Sequence, residues 1–182
     1  MSDTLITIVA IFLAAILMFI FPLMSVSERN DDIAQSVVQT AVSEFVDKIA
    51  VSGKIKASEY EAFLSKIATT GNTYEVEIEV QKLDENPGKK THFVSTDLIG
   101  ENVRFSIFTT EILESIYEIN PSTGATTIHD YLLNKGDNII VTVKNTNTTM
   151  AQILRGFFYR VTGKGTYQVS ASAASMVVNS GR

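Results

Sequence analysis

Three hydrophobic rhythms divide this chain. From residue 5 to residue 24 there is no rhythm: only Thr7 is polar, and Pro22 is the single residue that conflicts with a helix. At 1.5 Å per residue such a run reaches about 30 Å, the thickness of a bilayer's hydrocarbon core. It predicts a membrane-spanning helix through Leu5, Ile8, Phe12, Ile16, Phe19, Pro22 and Met24. From residue 31 the apolar positions recur at spacings of three and four: Ile33, Val37, Val38, Ala41, Val42, Phe45, Val46 and Ile49. That is one stripe of an amphipathic helix, and Ile33, Val37, Val38, Val42, Phe45 and Ile49 are its expected packing face. Asn30 or Asp31 can cap it, and Gly53 stands where a left-handed residue would end it. Because Pro disturbs the helical ladder locally, the two segments can form one long helix or two helices joined by a short hinge.

The third rhythm has period two. Tyr74, Val76, Ile78 and Val80 alternate with Glu75, Glu77 and Glu79, which predicts a strand with one buried and one wet face. Val103, Phe105 and Ile107 predict a second strand, and Ile139, Val141 and Val143 a third. Between them, Ser58-x-x-Glu61 has the form of a capping box opening a helix over 58–69. Ile112, Leu113, Ile116 and Ile119 suggest a helical turn or two before Pro121. A helix over 150–161, capped by Thr148 or Thr149, and a last strand over 166–178 complete the order. Helices and strands do not alternate regularly, so the expected class is α+β: an N-terminal transmembrane helix, then an amphipathic helix packed on a mainly antiparallel sheet with short additional helices. The division is residues 1–27, membrane anchor and juxtamembrane hinge, and residues 28–182, an extracytoplasmic α+β domain.

Composition changes this picture only at the margins. The 182 residues include 15 basic and 20 acidic side chains, a net charge of −5, and no basic run is longer than Lys89-Lys90. Nucleic acid is not expected as a partner, because phosphate contacts need clustered Lys and Arg. No cysteine is present, which removes disulfides, thiolate metal sites and thiol chemistry. Ahead of the apolar run stand Met1, Ser2, Asp3 and Thr4, without the basic residues of a cleavable signal, so a retained anchor is expected. A domain lacking a basic belt has nothing to hold it to anionic cytoplasmic lipid, which favours the N-terminus inside and the domain outside.

Candidate chemistry is sparse. Glu75, Glu77 and Glu79 form an acidic row, but residues two apart on a strand stand about 6.5–7 Å from one another, too far to share one ion easily. His92 and His129 are the only histidines, and no nucleophile motif accompanies them. Gly163-x-Gly165 lacks the remaining parts of a phosphate loop and reads as a turn, as does 84–90. Asn147-Thr148-Thr149 matches a glycosylation sequon. These observations predict no enzyme, no metal, no cofactor and no small-molecule substrate. The small side chains over 170–175 are a candidate close-contact strand, with Ala171, Ala173 and Ala174 either beneath the long helix or against another subunit.

A hydrophobic N-terminal helix running into an amphipathic helix and then a short α+β head resembles type IV pilins and pseudopilins. It also resembles the small pilin-like proteins of tight-adherence (Tad) pilus loci. In that layout, residues 5–24 with Pro22 correspond to the membrane half of the helix and residues 33–49 to the half beneath the head. Ser58-Glu59-Tyr60 through Gly71-Asn72-Thr73-Tyr74-Glu75-Val76, and Gly136-Asp137 leading to Val143-Lys144-Asn145, look similar to pilus-locus proteins of Gram-positive anaerobes. No Gly precedes residue 53 and no Glu lies within residues 5–24, so prepilin-type processing is not expected. The resemblance implies a membrane-anchored structural or assembly component of a bacterial surface filament or secretion apparatus. Its partners would be the lipid bilayer and other pilin-like or secretion-apparatus subunits. The competing expectation is a membrane-tethered extracytoplasmic binding or sensing domain.

Overall fold

The computed structural model describes residues 2–83, 104–119, 121, 124–162 and 169–181. One helix, α1 (Ser2–Ser52), takes in both N-terminal segments and passes through Pro22 without interruption. Of the two arrangements the sequence allows, the single helix is therefore the one found. The expected cap at Asn30 or Asp31 is not formed. Both residues lie within the helix, and Asp31 is buried and turned toward a distant threonine instead. At 1.5 Å per residue, α1 is about 75 Å long, and its first half is long and apolar enough to cross a membrane.

The helix ends where expected. The Gly53 N–H donates to the Ile49 carbonyl at 2.8 Å, and Gly53 has φ +69°, a conformation that L side chains rarely adopt. A Cβ there would also collide with the carbonyl oxygen of Asn179, where the C-terminal segment crosses the helix end. Strand β1 (Lys54–Ile55) and helix α2 (Ala57–Ala68) follow. The Ser58–Glu61 capping box does not form. The helix starts one residue earlier, its N-cap Lys56 makes no side-chain cap bond, and Lys56 Nζ pairs with Glu59 at 3.1 Å.

Strand β2 (Tyr74–Leu83) pairs antiparallel with β3 (Arg104–Phe108) and with β7 (Asn138–Asn145), and β7 pairs antiparallel with β8 (Ser170–Met176). The sheet order is β3-β2-β7-β8. Register places Val76, Ile78 and Val80 opposite Val143, Val141 and Ile139, so both alternations send their apolar sides to one face. The glutamates take the other face. On β3 only residues 104–108 are described, and Val103 lies outside them. Helix α3 (Thr109–Ile116) buries Ile112 and Ile116, as their spacing predicts. Ile119 does not continue it but belongs to β4 (Tyr117–Ile119), which pairs with β5 (Thr126–Ile128). Strand β6 (Tyr131–Leu132) pairs with β1. Helix α4 (Met150–Thr162) lies between β7 and β8 in the chain.

The core is the space between the inner sheet face and α1, α2 and α3. From α1 it takes Val38, Ala41, Val42, Phe45, Val46 and Ile49, with Phe45 stacked on Phe63 of α2 at 4.6 Å between ring centres. Full burial of each of the larger side chains contributes about 1.5–3 kcal/mol. The face is rotated slightly from the expected one: Ile33 is 56% exposed, Val37 only half-buried, and Ala34 and Ala50 are buried instead. A helix seated close on a sheet selects its smallest residues for the line of nearest approach, which apolar spacing alone does not reveal.

Candidate functional site

The junction between the two halves of α1 is built from three parts of the chain. The first is α1 itself. No residue in its most apolar stretch is buried within the chain, and Leu5, Ile8, Phe12 and Phe19 stand open on all sides. The other expected span residues follow the same pattern, with Ile16 and Met24 partly covered and Pro22 exposed.

The second part is strand β8, over which α1 lies. Ala171 is buried and Ala173 half-buried opposite Val143 and Val141, so these two small residues sit on the inner face with α1 above them. Ala174 faces outward and is exposed. The three alanines therefore do not form one contact surface: alternation splits them between two faces. β8 is the last strand of the sheet, and α1 closes its edge. Gln35 Nε2 donates to the Ser170 carbonyl at 2.6 Å, and the Ser170 N–H donates to Gln35 Oε1 at 3.0 Å. One side-chain amide thus imitates a neighbouring strand, which satisfies groups that would otherwise template pairing with another chain.

The third part is the start of α4. Thr149 Oγ1 accepts from the Gln152 N–H, and Gln152 Oε1 accepts from the Thr149 N–H, a reciprocal cap at one of the two expected positions. The same hydroxyl donates to Asp31 Oδ2 at 2.8 Å, with both residues buried. The Asp31 carboxylate thereby stands at the N-terminal end of α4, where the helix dipole favours negative charge. One turn back along α1, Glu28 Oε1 accepts from Arg155 Nε at 3.0 Å. Val26, Asn30, Asp31, Asn72, Asn147 and Met150 help line an open groove of about 510 Å³ beside these contacts.

Compared with protein-family models, curated proteins and solved structures, the chain matches none.

Most of the remaining polar candidates have partners where they are described. Glu77 pairs with Lys144 at 2.9 Å, and that hydrogen bond holds the Lys144 ammonium above its ordinary pKa. Glu79 accepts from Ser106 at 2.6 Å and from Gln81 at 3.0 Å, and these bonds, Ser106 first, hold its carboxyl below the usual range. Glu77 and Glu79 thus each have a partner of their own, and among the described residues no group of three His, Asp or Glu side chains is placed to hold a metal. His129 faces Glu118 at 3.3 Å while Asp130 pairs with Lys54 at 2.9 Å, so the two neighbours point apart. His92, residues 84–90 and Gly163 to Gly165 lie outside the described residues. The sequon residue Asn147 ties two loops together, accepting from the Thr73 N–H at 2.8 Å and donating to Asn72 at 3.2 Å.

Sequence reasoning missed Asp31, Thr149, Glu28 and Arg155 as a set. Each has an ordinary local explanation, and the partners are more than a hundred residues apart in the chain.

Proposed function

We propose that this chain is a membrane-anchored, pilin-like structural or assembly component of a bacterial surface filament or secretion apparatus. In this reading its N-terminus is inside and its head extracytoplasmic. The observation that supports this most is the single helix α1, which serves as the head's spine over one half and carries an uncovered apolar surface over the other. Such a surface is stable only in lipid or against other apolar helices. An uninterrupted helix also couples the two, so that packing between neighbouring helices would set the spacing of neighbouring heads.

The absence of cysteine makes a direct test practical, since single cysteines can be introduced without background. In native membranes, Phe12→Cys and Ile16→Cys are expected to give oxidative cross-linked dimers, and bifunctional thiol reagents on the double variant a ladder of higher species. External protease is expected to remove the head while leaving the span. Cross-link-free, monomeric protein would overturn the assembly reading. It would favour a membrane-tethered extracytoplasmic binding or sensing domain, for which the groove at Asp31 and Asn147 is the natural site.

A further inference from the structure

We propose that α4 is an interfacial helix, seated in the lipid headgroup layer beside α1, and that it fixes the height of the head above the bilayer. This rests on the anchoring of residues 5–24 in a membrane, though not on assembly with other subunits.

Because α1 is unbroken, heights along it can be counted. Met24 is the last residue of the apolar run; Glu28 lies about 6 Å beyond it, within the polar layer of about 5–7 Å that flanks a bilayer's hydrocarbon core, and Asp31 about 10 Å beyond it, at the outer side of that layer. Both residues hold α4. Thr149 meets Asp31, and Arg155, six residues later, meets Glu28. As α4 advances, its contacts on α1 step back toward the apolar run, so the helix descends. Residues 156–162 continue it for about 10 Å of axis.

Two further observations fit lipid as its neighbour. Val26, Met150 and Ile153 are 67%, 57% and 55% exposed, and Val26 and Met150 border the same groove. Such apolar side chains at this height would meet headgroups and upper acyl chains rather than bulk water. The descending part of α4 has the sequence Gly156-Phe157-Phe158-Tyr159-Arg160, a composition of aromatic and basic residues typical of the membrane interface.

The test uses the full chain in phospholipid nanodiscs with an environment-sensitive fluorophore on single cysteines at three positions. Phe12→Cys reports the span and Ile153→Cys reports α4. His129→Cys reports the far end of the head, where the adjacent Asp130 pairs with Lys54 just past the end of α1. Lipids spin-labelled deep in the acyl chain are expected to quench position 12, and lipids spin-labelled at the headgroup to quench position 153 with a blue-shifted emission, while position 129 responds to neither. Quenching at 12 with 153 behaving like 129 would overturn the interfacial helix and leave the anchor standing. No quenching at 12 would remove the anchor, and the interfacial helix with it.

Discussion

The two halves of α1 share one backbone, yet they are built for opposite surroundings. Residues 5–24 are apolar on every side and buried nowhere within the chain, whereas residues 34–50 confine their apolar side chains to one stripe and bury it. The first half is apolar except for Thr7, while the second interleaves its apolar stripe with Gln35, Gln39, Glu44, Asp47 and Lys48, so both the amount of hydrophobicity and its angular distribution differ. A substitution should therefore have different consequences in the two halves, and the contrast can be broken at chosen positions.

The largest effect is expected from a charge on the buried stripe. Val42 is fully buried, and a carboxylate there would lack any partner, a cost that rivals the 5–15 kcal/mol total stability typical of a domain. Val42→Asp should abolish cooperative thermal unfolding of the head, read by circular dichroism, while the chain stays in the membrane fraction. Leu13→Asp should do the reverse: the head melts as before, and membrane insertion weakens by about 3–4 kcal/mol. Equal melting temperatures for the two variants would show that the halves are not distinct in this way.

Truncation should sharpen the same contrast on a smaller scale. Ile49→Ala removes a fully buried side chain and should cost about 2–5 kcal/mol in denaturant unfolding of the head. Leu13→Ala should leave that midpoint unchanged. At the junction, Thr149→Val removes both a cap acceptor and the hydroxyl that donates to buried Asp31, with an expected loss of about 1–3 kcal/mol. Arg155→Gln, which removes an ion pair at a partly solvated position, should cost about 0–1 kcal/mol. A larger loss for Arg155→Gln than for Thr149→Val would mean that the ion pair, not the buried hydroxyl, holds α4 to the helix.

How much of this was legible follows from the same physics. The apolar run, the stripe on α1, and the alternations in β2 and β7 extend over many residues, and each forms the element its pattern predicts, with the buried face of α1 turned slightly from the expected one. Strands β1, β4, β5 and β6 have two or three residues each, too few for a period of two to register. The cap at Asn30 or Asp31 was misread because a polar cluster before an apolar stripe looks the same whether a helix starts there or passes through. Only Thr149, 118 residues away, shows why Asp31 is buried. The apolar run could thus be read locally, but the junction at Asp31 and Thr149 could not.

The sheet repeats the contrast of α1 with a period of two, and its outer face allows the smallest test. The carboxyl of Glu79 is held below its ordinary pKa, first by the Ser106 hydroxyl and then by Gln81. A carboxyl whose folded pKa is depressed adds stability above its unfolded pKa, and that stability is lost as pH falls through the folded value. Ser106→Ala should move the Glu79 pKa upward toward the ordinary carboxylate range, read by NMR titration, and should flatten the acid limb of head stability slightly. Val80, next along β2 and fully buried, faces the other way, so the substitution should leave the neutral-pH unfolding midpoint nearly unchanged. If instead the neutral midpoint dropped as far as in Ile49→Ala, the outer face of the sheet would have to be carrying part of the core.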